Sequence, residues 1–266
     1  MTPHIPTLAA SDLSLNDDHA AVLSALTSYA PIGLRELDAV SLQKRMDTKF
    51  LVSFADLVAI LGDIRSEYAA LELERHRNFP YISCYYDTPD FMFYHHHHNG
   101  RPNRLKIRLR NYVLSNLFYF EVKQKKYGLR TEKMRLKRSN FSTDLFPNEV
   151  ALVSEKFRLK EEIKPQLITM FNRFTLAGLQ HEERITIDTD LIFDRNGHKI
   201  HLDNVVIIEV KQPRSSLQSP IRQALRRLGA TPKPFSKYAI GMAFTLPELK
   251  TNAFKPIFLS LKHFKP

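Results

Sequence analysis

The sequence predicts an α+β fold in which antiparallel strands close into a barrel with an ionic lumen and helices pack outside. Three observations carry this expectation. At least six segments alternate charged and apolar residues at period two, which is the pattern of a strand with one ionic and one apolar face. Apolar residues at helical spacing occur between them, as in Phe54–Ile64. The charge is also concentrated. Thirty-nine Lys and Arg oppose 28 Asp and Glu over 266 residues, a net charge of +11. Thirteen basic and two acidic residues within 101–138 account for all of that excess. Closure turns such ionic faces inward around an anionic partner and leaves the apolar faces for helices.

From the N-terminus, Asp17 or Asp18 caps a helix over residues 19–26, and Pro31-Ile32-Gly33-Leu34 forms a break before residues 35–38. Residues 43–52 alternate, with Arg45, Asp47, Lys49 and Leu51 on one face. Ser53 then caps the amphipathic helix Phe54–Ile64. Residues 81–87 are rich in β-formers and close at Thr88-Pro89-Asp90. In residues 104–110, Arg104, Lys106, Arg108 and Arg110 share a face; in residues 118–125, Glu121, Lys123 and Lys125 do. Thr131, Lys133, Arg135 and Lys137 again share parity. Residues 142–178 read as helical and mixed in charge, with Gly178 as the stop. Strands return at 183–188 and 205–211, and a basic amphipathic helix over 216–228 ends at Gly229. This divides the chain into a partly helical extension (1–30), one domain (31–250) and a tail (251–266).

Composition narrows the function. At 43% hydrophobic and 25% charged, the chain has what an ordinary globular core needs. A single cysteine, Cys84, rules out an internal disulfide framework and a Cys-cluster zinc site, and points to the reducing cytoplasm. Residues 1–26 lack the basic start and long apolar run of a signal peptide or anchor. No stretch approaches the roughly 18 apolar residues that span a bilayer. A DNA-reading helix would space its charges at three and four, and aromatics in the basic strands alternate away from the charges, so no nucleic-acid partner is expected. Adjacent basic strands repel unless anions compensate them. The run His95 to His98 has no carboxylate or cysteine at ligand spacing and reads as a surface helix end. Cys84 reads as a packed thiol, and Arg222, Arg226 and Arg227 as a solvated helix face.

Eight short motifs in order then resemble a known family: Arg45-Met46-Asp47-Thr48-Lys49-Phe50, Tyr85-Tyr86-Asp87-Thr88-Pro89, Asn99-Gly100-Arg101, Lys106-Ile107-Arg108-Leu109-Arg110, Glu121-Val122-Lys123, Arg184-Ile185-Thr186-Ile187-Asp188, Glu209-Val210-Lys211 and Ser236-Lys237-Tyr238. Over residues 31–244 the chain resembles the VTC (vacuolar transporter chaperone) domain in its bacterial polyphosphate polymerase-like form, within the triphosphate tunnel metalloenzyme (CYTH-like) superfamily. The resemblance implies an antiparallel eight-stranded barrel, the triphosphate tunnel, and transfer of the ATP γ-phosphate to inorganic polyphosphate. It implies that Lys49, Arg108, Arg110, Lys123 and Lys211 act on the reacting phosphates. Arg45, Arg101, Lys106, Arg135, Arg184, Ser236 and Lys237 would bind phosphate. Glu209, with Glu121 as a second ligand or as an orienter of a neighbouring lysine, would hold a divalent metal, Mn2+ or Mg2+. A membrane-protein partner belongs to the same expectation, although no residue here identifies one.

One departure bears on mechanism. Related tunnel hydrolases carry Glu-x-Glu-x-Lys on the first strand, where this chain has Arg45, Asp47 and Lys49. Arginine in place of a carboxylate lowers metal-binding capacity and adds a bidentate phosphate donor, which favours transfer over hydrolysis. A triphosphatase and a non-catalytic polyphosphate-binding module are the rival expectations.

Overall fold

The computed structural model describes residues 17–39, 45–127, 131–213 and 219–264. In chain order the elements begin with α1 (Asp17–Thr27), β1 (Ala30–Ile32), α2 (Leu34–Ala39), β2 (Arg45–Val52), α3 (Phe54–Ile64) and β3 (Tyr68–Leu71). Next come β4 (Phe79–Asp87), α4 (Met92–His98), β5 (Arg104–Tyr112), β6 (Leu117–Lys125), β7 (Thr131–Arg138) and α5 (Pro147–Ala151). The chain continues through β8 (Lys164–Gly178), β9 (Arg184–Arg195), β10 (His198–Leu202) and β11 (Val206–Pro213) to α6 (Pro220–Arg227), α7 (Lys237–Thr245) and α8 (Lys255–Lys262).

Eight strands form one antiparallel path, β2-β11-β9-β8-β4-β5-β6-β7, with β10 beside β9 and the parallel pair β1–β3 joined to β8. Among the described residues β2 and β7 are not hydrogen-bonded to each other, so the ladder does not close. The path nevertheless curls far enough for side chains of β2 and β11 to share one cavity with those of β5, β6 and β7. Register sets what faces inward. Lys49 lies opposite Glu209, Glu209 opposite Thr186, Arg173 opposite Asp188, Arg108 opposite Glu121, and Glu121 opposite Arg135. Because side chains alternate along a strand, these pairs place ionic residues of β2, β5, β6, β7, β8, β9 and β11 on the concave face.

The apolar faces bury against helices, as the alternation predicts. Phe50, Val52, Phe174, Ile185, Ile187 and Ile208 pack with Leu57, Ile60 and Leu61 of α3, Val22 and Leu26 of α1, and Ile221 and Leu225 of α6. The α3 start is a capping box: Ser53 Oγ accepts from the Asp56 amide, and the Asp56 carboxylate accepts from Ser53 N. His19 Nδ1 lies 2.9 Å from Asp190 Oδ2 and ties α1 to β9.

Residues 142–178 are a correction. The expected helix is only α5 with one further turn, after which β8 runs for 15 residues through the middle of the sheet. The period signal is lost because β8 is buried on both faces: Met170 and Phe174 pack outward, Leu167 and Phe171 inward. The inward pair contacts α7, which fills one end of the concavity. Gly241 makes this approach feasible, since a Cβ there would lie 2.5 Å from Leu167 Cδ2 and Phe193 Cδ1. The helix expected over 216–228 begins at Pro220; residues 214–218 lie outside the described residues. The histidine run ends α4 as expected, but His98 is buried and its Nε2 accepts from the Ala253 amide.

Candidate functional site

The concave face encloses a cavity of about 580 Å³. Its wall contains Lys49, Lys106, Arg108, Arg110, Lys123, Lys133, Arg135, Arg173, Lys211 and Lys237, with Asp47, Glu121 and Glu209 as the acidic members. Ten cations therefore face three carboxylates, a formal excess of seven positive charges. Ser236 and Lys237 come from the N-terminus of α7, and six strands, β2, β5, β6, β7, β8 and β11, deliver the rest. Ser236 caps that helix by accepting from the Ala239 amide, and Lys106 Nζ reaches its Oγ at 3.1 Å.

The carboxylates are held by cations. Arg108 places both Nε and Nη2 at 2.6 Å from Glu121 Oε2. Glu121 therefore orients an arginine, not a lysine. Glu209 Oε1 lies 3.2 Å from Lys49 Nζ and 3.3 Å from Lys211 Nζ. Asp188, just behind the cavity wall, accepts from Arg173 at 2.5 and 2.8 Å and from Lys237. The partners of Asp188 are thus Arg173 and Lys237. Asp47 lies opposite Lys211 in the β2–β11 register and supports its charge.

Two arginines are held without a carboxylate doing all the work. Arg110 donates to Ser83 Oγ at 3.2 Å, and its guanidinium sits 5.2 Å from the Tyr81 ring centre. Arg173 lies at the same 5.2 Å from Tyr81, whose ring stacks on Phe171 at 5.4 Å and an interplanar angle of 2°. An aromatic face supports a cation while leaving its charge uncancelled.

Burial and crowding show in the proton affinities. Burial, with Lys123, Lys49 and two arginines nearby, pushes Lys106 down to about 7. Burial pushes Lys211 and Lys237 down to about 8, against support from Glu209 and Asp188 respectively. Lys123 and Arg110 are lowered too, first by burial and then by neighbouring cations. The carboxylates fall as well, which for them favours the charged form. Burial favours their neutral form, yet Lys211 and Lys49 hold Glu209 far below the usual range, and Arg173 and Lys237 do the same for Asp188. The lumen thus strains to keep its positive charge while its carboxylates stay ionised.

Of the residues expected from sequence, Lys49, Lys106, Arg108, Arg110, Glu121, Lys123, Arg135, Glu209, Lys211, Ser236 and Lys237 converge on this one cavity. Arg101 follows α4, beyond the cavity wall, with Nη1 3.3 Å from His96 Nε2. Arg184 stands opposite Lys211 at the far end of β9 and does not line the cavity. The side chain of Arg45 lies outside the described residues. Sequence reasoning missed Arg173, hidden in the segment read as helix, where a polar Asn172-Arg173 step inside an apolar run of β-formers was the available signal. It passed over Lys133, which has the parity of Arg135. It also misplaced two aromatics. Tyr112 shares the parity of Arg104 to Arg110, and Tyr119 lies opposite Arg110 on the lumen face with the Arg135 guanidinium 4.8 Å from its ring. Cys84 is fully buried, and burial pushes its thiol up to about 12, the behaviour of a packed side chain.

The family model of the VTC domain matches residues 44–246. The chain belongs to the VTC domain family. That span takes in β2 through α7, every element that lines the cavity. No curated protein matches the chain in sequence. Among solved structures, this VTC domain is similar to a candidate adenylyl cyclase from Hippeastrum with a dominant triphosphatase activity (TM-score 0.45, 11% identity, 75% of this chain and 95% of that one). It is similar also to candidate adenylate cyclases from Vibrio parahaemolyticus (0.44, 14%, 76% and 99%) and Bacillus halodurans (0.43, 13%, 73% and 94%).

Proposed function

We propose that this VTC domain is a polyphosphate polymerase that moves the γ-phosphate of ATP onto a growing inorganic polyphosphate chain inside the basic lumen. The observation that carries the reading is the charge balance of the cavity: ten cations face three carboxylates, and both Glu121 and Glu209 are gripped by cations. A lumen so built has affinity for two polyanions at once and offers little to activate water. Arg108, Arg110 and Arg173 supply planar forks for the equatorial oxygens, and Lys49, Lys123 and Lys211 neutralise charge around them. An oxygen of the chain's terminal phosphate attacks the γ-phosphorus, the bond to the β-phosphate oxygen breaks, and ADP leaves. Positioning and electrostatics provide the rate, because little covalent work falls to the protein.

Among the described residues no group of three or more His, Cys, Asp or Glu is placed to hold a metal by itself. The residues fit a magnesium-like ion in a different way, through one carboxylate with substrate phosphates completing its shell. Glu209 would be that ligand, being ionised and facing the lumen, whereas Glu121 is committed to Arg108. Such an ion, when bound, offsets charge on the leaving diphosphate. Asp47, the one acidic residue of β2 that lines the lumen among the described residues, is what favours the rival triphosphatase reading. Among the described residues no helix is long and apolar enough to cross a membrane.

Incubation of the pure protein with ATP and manganese, followed by gel separation of long chains from free phosphate, decides between them. Long chains are the expected product. Free phosphate alone supports the triphosphatase, and neither product supports a binding module.

A further inference from the structure

The two ends of the lumen differ in chemistry. At one end α7 packs its apolar side against Leu167 and Phe193, with Gly241 in the closest approach. At the other end the lumen-facing rows of β4, β5 and β6 finish in tyrosines. Tyr112 is the last residue of β5 and lies directly opposite Tyr81, and Tyr119 lies opposite Arg110 on β6. The three rings form a continuous cluster, with Tyr81 and Tyr112 5.0 Å apart and Tyr112 edge-on to Tyr119 at 5.8 Å. All three are partly exposed. Arg110 and Arg173 lie over Tyr81, and Arg135 over Tyr119, whereas among the described residues no cation lies over Tyr112.

We propose that this tyrosine rim, centred on Tyr112, stacks the aromatic base of the nucleoside triphosphate donor. A nucleotide whose phosphates lie among the lumen cations places its nucleoside towards one end, and the tyrosine end is the one that offers partly exposed aromatic faces. Tyr112 stands two residues from Arg110 and four from Arg108 on the same strand face, roughly 7 and 13 Å along the strand. That spacing lets the base rest at the rim while the terminal phosphate reaches the arginines and Lys211. Every base has a π-face, so the contact discriminates nucleotide from inorganic polyphosphate more than one base from another. It separates donor from acceptor, two polyanions that the cations alone cannot tell apart.

The proposal rests on the reading of the lumen as a nucleoside triphosphate site, but its test measures binding and does not depend on chain synthesis. Calorimetry on the full chain compares the β,γ-imido analogue of ATP with inorganic triphosphate. Tyr112→Leu is expected to weaken the nucleotide about tenfold and leave triphosphate within twofold, and Tyr112→Trp to bind nucleotide at least as well as the native protein. Equal loss for both ligands would assign Tyr112 a structural role and overturn the proposal, as would an unchanged nucleotide affinity. Should Tyr112→Leu fail to fold, the native protein provides the test. Ribose 5-triphosphate, which lacks the base, is expected to bind about tenfold more weakly than ATP, and equal binding overturns the proposal. The absence of long chains on the gel would remove the polymerase reading while leaving this outcome intact.

Discussion

The wall built by β5, β6 and β7 and the wall built by β2 and β11 draw on the same residue types in different balance. On the first, Lys106, Arg108, Arg110, Lys123, Lys133 and Arg135 face the cavity against Glu121 alone; on the second, Lys49 and Lys211 face Asp47 and Glu209. Behind the second wall, Asp188 clamps Arg173 and Lys237. Charges that cancel can serve the fold, because each buried ion has a partner. Charges that do not cancel cost the empty protein stability and are repaid only when a polyanion arrives. The +11 of the chain arises in the segment that forms the unbalanced wall.

The largest effect is expected from breaking the balanced side. Asp188→Asn leaves two buried cations without their partner and should destabilise the protein by about 3–5 kcal/mol, read from urea midpoints. Arg110→Gln, on the unbalanced wall, should cost about 10²–10³ in the rate of phosphoryl transfer with little change in the urea midpoint. If the two variants lost stability equally, the distinction between the walls would fail. Gly241→Ala should cost about 1–3 kcal/mol by forcing α7 off Leu167 and Phe193, and should weaken phosphate binding through the displaced Ser236 and Lys237.

A dependence on pH tests both walls together. Lys106, Lys211 and Lys237 release protons in the folded protein near 7 to 8, but at about 10.4 when unfolded. Over that window the unfolded chain binds more protons, so the stability of the empty protein should rise as pH increases from 7 to 9. Polyphosphate favours the charged lysines, so its affinity should fall over the same range and its binding should take up protons. Urea midpoints at the two pH values, and calorimetry in buffers of different ionisation enthalpy, check both signs. Lys106→Met should flatten each dependence, and a midpoint that fell with pH would contradict the strained lumen.

The unbalanced wall was the legible part of the fold. Strands β5, β6 and β7 each have one face in the lumen and one against apolar packing, so period two survives in their sequences. In β8 that signal disappears, because helices cover both faces and Arg173 interrupts an otherwise apolar run. The tyrosines were lost for a subtler reason. Tyr119 has the parity of Glu121, but it stands between Phe118 and Phe120 and reads as part of one aromatic block. Only the opposition of Arg110 and Tyr119 across the ladder separates it from its neighbours.

Composition, parity and motif order by themselves determined the family, the antiparallel sheet and the segment that carries the charge, because alternation is a local consequence of strand geometry. Pairing was not local. Whether Glu209 faces Lys49, whether Arg173 or Arg184 holds Asp188, and which end α7 fills all depend on register and on contacts between residues far apart in the chain. Those contacts turn a basic sequence into a lumen with one balanced wall, one wanting wall and a tyrosine rim.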